Sequence, residues 1–180
     1  MIKIGILGDI GSGKSYVAKN FNYPLFNADA EVSKLYKRDK KIFNKLKKAL
    51  PKYIYSFPIN KNEICDAILA NKFNLKKIIT IVHLEIRKKM NIFLKKNINK
   101  KIVILDIPLL LENKINKKND ILIFVQAKKL DIIKKLRKRK NFNLNILRKF
   151  KSIQLPLDYK KKNLNLLLKI ILQINLLKAV

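Results

Sequence analysis

The sequence predicts an α/β fold, a parallel sheet of about five strands flanked by helices. Three observations point there. All four glycines, Gly5, Gly8, Gly11 and Gly13, fall within nine residues near the amino terminus. They join an apolar run of strand length to a segment of helical period. Further on, residues 102–107 (IVILDI) and 120–126 (DILIFVQ) are continuous apolar runs, the pattern of strands covered on both faces. Helical periodicity fills nearly all the chain between these runs, as parallel strands require of their connections.

In order along the chain, residues 2–7 give the first strand, and a helix follows in which Val17, Ala18 and Phe21 share one face. Residues 24–28 read as a short second strand. Helices are predicted over about 30–50, 61–71 and 75–96, with the Pro51–Pro58 stretch as a loop between the first two. The strands at 102–107 and 120–126 form the middle of the sheet. Helices follow over about 130–140 and 143–154, then a strand over 164–168 and a short terminal helix. The helical stretch after the second strand exceeds a simple crossover and predicts an inserted substrate-binding subdomain. The division expected is one domain over 1–180: a core of about 1–35 and 100–180 and a helical insertion over about 36–99.

Composition sets the outer bounds. The 180 residues are 48% hydrophobic, enough for one buried core. Cys65 is the only cysteine and His83 the only histidine, so no internal disulfide and no cysteine–histidine metal cluster is available. Cytoplasmic location is expected. No apolar run approaches the roughly 18 residues of a membrane span. A net charge of +30 would ordinarily suggest nucleic acid. Here 37 of the 42 cations are Lys and only 5 are Arg, and Lys, Asn and Ile, all with A/T-rich codons, make up about 47% of the chain. Residues 1–33 balance three lysines with three acids, so the excess lies entirely beyond them. Base-composition drift on tolerant surface positions accounts for that distribution.

The segment spared from drift carries the chemistry. Gly8-Asp9-Ile10-Gly11-Ser12-Gly13-Lys14-Ser15 fits G-x-x-x-x-G-K-[ST] at every position, after a strand and at the opening of a helix. Such a loop wraps phosphates in backbone N–H groups at a helix N-terminus. Gly8 through Tyr16 are the expected nucleotide-binding residues: Lys14 reaches the β- and γ-phosphates, and the Ser15 hydroxyl ligates Mg²⁺. Asp106 closes the strand at 102–107, where an acid serving the metal belongs in an open α/β sheet. Asp29 follows the second strand and is expected at the same edge, with helix capping ahead of Glu31 as the plain alternative. These features predict a P-loop NTPase fold that binds a nucleotide and Mg²⁺.

The chain resembles the dephospho-coenzyme A kinases. The resemblance rests on five blocks in matching order: the ILGDIGSGKSYVA start, Asn27-Ala28-Asp29, Asp106-Ile107-Pro108-Leu109-Leu110-Leu111-Glu112, Arg139 in LRKRK, and Gln154 to Lys160 (QLPLDYK). It implies transfer of the γ-phosphoryl group of ATP to the ribose 3′-hydroxyl of dephospho-coenzyme A, the last step of coenzyme A synthesis. It further implies catalytic roles for Asp29, Lys14 and Arg139, and metal binding by Ser15 and Asp106. Substrate contacts would come from Asp29, Lys61, His83, Pro108, Leu109 and Glu112, and the resemblance implies a lid over about 135–155 with Lys135 and Arg139 as its cations. The partners implied are ATP and dephospho-coenzyme A. Composition leads us to expect no specific nucleic acid and no membrane, and a monomer is expected with an oligomer left open. The alternatives are a P-loop kinase for another small acceptor such as a nucleoside monophosphate, or a non-catalytic basic nucleic-acid-binding module.

The chain departs from that family at several positions. Asp9 stands for a Gly, Asn27 for the first Asp of Asp-Ala-Asp, Lys61 and Lys135 for Arg, and Leu84 for a Pro. The side chain of Asp9 is expected to point to solvent. The family's terminal Ala-Asp strand and following Asn are not recognisable in residues 163–169. On the lid helix, Leu130, Ile133 and Leu136 are expected as the packed face. Arg137 would then lie within about 40° of its centre, and Lys135 and Arg139 would share the opposite side.

Overall fold

The computed structural model describes residues 1–139, 142–162 and 164–170. The predicted short terminal helix lies outside them. Five parallel strands form one sheet in the order β2-β3-β1-β4-β5: β1 Ile2–Gly8, β2 Leu25–Asn27, β3 Ile102–Asp106, β4 Ile121–Ala127 and β5 Leu166–Ile170. The central three are the most deeply covered, with four or five consecutive buried residues each. Their register sets Ile4 beside Ile104 and Ile121, so the apolar rows of the three strands coincide.

The chain forms two compact units. The first holds the sheet and comprises Met1–Asn27, Asn97–Asn143 and the chain from Gln154 on. Its helices are α1 Lys14–Asn20, α6 Lys129–Arg137 and α8 Leu157–Lys162. Beneath α1, Ala18 is buried with Ile4, Ile6, Ile104, Ile123 and Val125, and Val17 and Phe21 pack around them. This is the helix face predicted from spacing. On the strand interior, an atom added to Gly5 would meet Leu122 at 3.0 Å and Leu110 at 3.1 Å. The turn after β3 therefore lies directly on β1.

The second unit, Ala28–Lys96 with Leu144–Ile153, is helical. It contains α2 Ala28–Arg38, α3 Lys40–Ala49, α4 Lys61–Ala70, α5 Lys72–Lys96 and α7 Leu144–Ser152. The single helix expected over 30–50 is two, because the Asp39 carboxylate accepts from the Ile42 N–H at 3.0 Å and starts a new helix. Ile42 and Leu46 of α3, Ala67 and Ile68 of α4, and Leu75, Ile78, Val82 and Ile86 of α5 fill the core. Buried Glu63 organises the loop before α4 by accepting from the Tyr55 and Ser56 N–H groups and the Ser56 hydroxyl. Among the described residues, no helix is long and apolar enough to cross a membrane.

Candidate active site

The loop between β1 and α1 is shaped by its glycines. Gly8, Gly11 and Gly13 have φ of 145°, 86° and 95°, the left-handed side that other residues avoid. A Cβ on Gly8 would stand 2.5 Å from the Val125 carbonyl oxygen, and one on Gly11 would stand 2.9 Å from Leu136 of α6. The loop backbone is thus free of side-chain bulk, and α6 lies against it. Lys14 curls back over the loop: its Nζ donates to the carbonyl oxygens of Asp9 at 2.7 Å and Gly8 at 3.3 Å. The Ser12 hydroxyl is buried, with no hydrogen-bond partner among the described residues. A buried hydroxyl without a partner is costly. In a cradle of this shape, it is the group a phosphate oxygen would satisfy. Ser15 and Tyr16, in the first turn of α1, are exposed.

Asp9 differs from its expectation. Its Oδ1 accepts from the Ile10 N–H at 2.7 Å, so the carboxylate folds onto the loop backbone and occupies one of its donors.

Asp106 ends β3 and is 3% exposed. Directly opposite in register is Asn27, the last residue of β2, whose Nδ2 donates to Asp106 Oδ2 at 2.7 Å. The pair stands at the carboxyl edge of the sheet, the edge from which β1 passes into the loop. Oxygen donors suited to Mg²⁺ are therefore present in the Ser15 hydroxyl and the Asp106 carboxylate. Among the described residues no cluster of three or more His, Cys, Asp or Glu could hold a metal. A cation held by two protein oxygens and substrate phosphates needs no such cage.

Asp29 lies two residues beyond Asn27, in the first turn of α2, and is exposed. Because α2 already begins at Ala28, Asp29 is inside the helix and is not its N-cap.

The helix expected to carry the lid is oriented differently from the sequence reading. Ile132 and Leu136 are its buried residues at 4% and 3% exposure, while Leu130 is 72% exposed and Ile133 37%. The sequence Leu130-Asp131-Ile132-Ile133 offers two apolar stripes, and packing on Gly11 selects the one through Ile132 and Leu136. Arg137 then points roughly 120° from the buried stripe instead of along it. The helix also stops at Arg137, so Arg139 sits in the turn beyond, its N–H on the Leu136 carbonyl oxygen at 3.1 Å. Lys135 and Arg139 consequently do not share a helix face. Both are exposed.

Of the residues expected to contact substrate, Pro108 and buried Leu109 form the turn after β3. Glu112 follows them and is engaged within the protein: its Oε1 accepts from Lys160 Nζ at 2.7 Å and from the Leu155 N–H at 3.0 Å. The side chains of Lys160 and Glu112 are 2% and 10% exposed. Two sequence blocks 42 residues apart at their ends thus meet in one buried ion pair. Lys61 and His83 belong to the helical unit. Lys61 is exposed and opens α4 behind the Asn60 cap, and His83 is half-buried midway along α5. On the same unit burial pushes the Cys65 thiol up, Asp66 adds to the rise, and Lys61 opposes it.

A cavity of about 510 Å³ is lined by Glu112, Lys117, Asp120, Leu122, Tyr159 and Asn165, among others. Asp120 and Leu122 stand at the amino end of β4, and Asp120 is paired with Lys3 near the start of β1 at 2.6 Å. This cavity therefore opens at the end of the sheet opposite the phosphate loop.

Sequence reasoning overlooked the Asn27–Asp106 bond, the buried partner of Glu112 and the seat of Leu136 on Gly11. The first was signalled only in that both residues end apolar strands.

A glycine-built phosphate loop after the central strand of a 2-3-1-4-5 parallel sheet, with an acid ending the neighbouring strand, defines a P-loop kinase. The family model for dephospho-CoA kinase matches residues 2–171, and the chain belongs to that family. It is 35% identical over 164 residues to a dephospho-CoA kinase of Wolbachia from Brugia malayi, covering 88% of this chain and 84% of that protein. A crystal structure of a Thermus thermophilus protein superposes with a TM-score of 0.74 at 25% identity, covering 94% of this chain and 88% of that one. The fold is also that of a dephospho-CoA kinase from Campylobacter jejuni, with a TM-score of 0.61 at 17% identity over 96% and 89% of the two chains. Family membership makes the chain an ATP-dependent phosphotransferase acting on dephospho-coenzyme A, in coenzyme A biosynthesis.

Proposed function

We propose that the chain transfers the γ-phosphoryl group of ATP to the 3′-hydroxyl of the ribose of dephospho-coenzyme A, using the residues that carry the family's motifs. The observation that most supports this reading is the phosphate loop, with its left-handed glycines, orphaned Ser12 hydroxyl and Lys14 ammonium. In the reaction a bond forms between the ribose oxygen and Pγ as the bond from Pγ to the β,γ-bridging oxygen breaks, and ADP leaves. Asp29 orients the hydroxyl and accepts its proton. The loop amides and Lys14 hold the β- and γ-phosphates and stabilise the charge that gathers on them. Arg139, assisted by Lys135, adds positive charge to the transferring group.

Mg²⁺ would be held by the Ser15 hydroxyl and Asp106, and when bound it would neutralise charge on the nucleotide's phosphates. Lys61, His83, Pro108 and Leu109 are assigned to the acceptor. Glu112 is assigned there by resemblance, while its bonds to Lys160 and Leu155 favour a role in holding the turn that carries Pro108 and Leu109. The protein is expected to act as a cytoplasmic monomer, with no sequence-specific nucleic-acid partner.

Purified protein supplied with ATP and Mg²⁺ and offered dephospho-coenzyme A, AMP, CMP or shikimate should phosphorylate the first at least 100-fold faster than the rest. Preference for AMP or CMP would move the chain to the nucleoside monophosphate kinases. No turnover of any acceptor would favour the binding-module reading.

A further inference from the structure

We propose that Asn27 is a positioning residue that sets how this chain holds its divalent cation. The inference rests on the reading of Asp106 as the metal-facing acid and adds a residue to it. β2 and β3 pair in parallel with Asn27 opposite Asp106 at their carboxyl ends. Side chains so paired leave one face of the sheet about 5 Å apart, close enough for a direct bond. That bond is present at 2.7 Å, from Asn27 Nδ2 to Asp106 Oδ2. An ionised carboxylate only accepts hydrogen bonds, so the amide nitrogen, not the amide oxygen, must face it.

The consequence is a matter of charge and geometry. Asp106 is 3% exposed, and a carboxylate so placed needs hydrogen-bond partners. The amide supplies one, fixes the rotation of the carboxyl group and takes Oδ2, leaving Oδ1 to face a cation or its water. Being neutral, Asn27 adds no second negative charge. The chain therefore meets the cation with one carboxylate from the paired strand ends, held in one orientation. An Asp at position 27 would set two carboxylates side by side. They would repel without a cation and bind one more tightly with it.

Mn²⁺ serves as the probe, its binding to the protein–ADP complex followed by the electron paramagnetic resonance signal of free Mn²⁺. Asn27→Asp should bind Mn²⁺ at least fivefold tighter than the native chain, and its metal-free Tm should fall and recover on adding Mn²⁺. Asn27→Ala, which frees the Asp106 carboxyl to rotate, should bind Mn²⁺ at least threefold more weakly, with kcat lowered and KM for dephospho-coenzyme A unchanged. Native affinity in both variants, or tighter binding by Asn27→Ala, overturns the proposal. Asp106→Asn separates the two layers. If it leaves Mn²⁺ binding intact, the metal role of Asp106 is wrong. If it abolishes binding while the Asn27 variants match the native chain, only the positioning role fails. Should Asn27→Asp not fold, the Asn27→Ala comparison decides alone.

Discussion

Lys14 and Asp29 divide the proposed chemistry between donor and acceptor. Lys14 reaches back to the loop carbonyls of Asp9 and Gly8 and is not part of the apolar core. Lys14→Ala should therefore keep a native circular dichroism spectrum and Tm while losing phosphoryl transfer. Asp29→Asn should lower kcat by roughly 10² or more with ATP affinity near normal, because a general base acts on the acceptor hydroxyl and not on nucleotide binding. A collapse of ATP–Mg²⁺ affinity in that variant would instead give Asp29 the metal. Away from this chemistry, burial pushes the Tyr36 phenol well above its ordinary value near 10, with Cys65 adding to the rise. The neutral phenol is the form the folded state prefers. Its contribution to stability is whole below the unfolded pKa and is lost as pH climbs from there through the raised folded value. Between pH 10 and 11.5 the native chain should lose more stability than Tyr36→Phe, measured by urea unfolding of both.

Among the elements, the turn after β3 and α8 depend on each other through Glu112 and Lys160. Removing one member of so buried a pair leaves an uncompensated charge, and Lys160→Met should cost about 3–5 kcal/mol in urea unfolding. Replacing both, as Glu112→Leu with Lys160→Met, should recover most of it. If the single variant loses under 1 kcal/mol, the pair is not the clamp described. The orientation of α6 bears on its arginines. Arg137 points away from the buried stripe, so packing no longer separates it from Arg139. Motif position alone favours Arg139, and Arg139→Ala should lower kcat at least tenfold more than Arg137→Ala, a difference of about 1.4 kcal/mol in transition-state stabilisation. Equal losses would show the cations acting together. What the sequence made legible follows the same line. Runs such as IVILD and glycines in a loop are local signals, and the strands and the phosphate loop emerged where these put them. The break at Asp39 hides in a continuing helical period. The choice between Ile132 and Ile133 is made by a neighbour 121 residues earlier, and α8 is too short to show a period at all.

At the scale of the whole molecule the charge of +30 acts as self-repulsion. If the lysines are solvated surface, Tm should rise from 50 to 500 mM NaCl as the Debye length shrinks from roughly 14 to 4 Å. Duplex DNA should bind weakly, without sequence preference and with a steep salt slope. Nanomolar, sequence-selective binding at physiological salt would reinstate a nucleic-acid function. The strand order has another consequence, in time instead of space. β1 is made first, yet its neighbours β3 and β4 end at Asp106 and Ala127. At about 5–20 residues per second, a nascent chain carries an unpaired apolar strand and an unsupported glycine loop for roughly 6–24 s before both flanks exist. Val125, whose carbonyl closes on Gly8, and Leu136, which seats on Gly11, are made later than either unit's first helix. On the ribosome, nucleotide should therefore have no protective effect against protease until about Leu136 has cleared the exit tunnel.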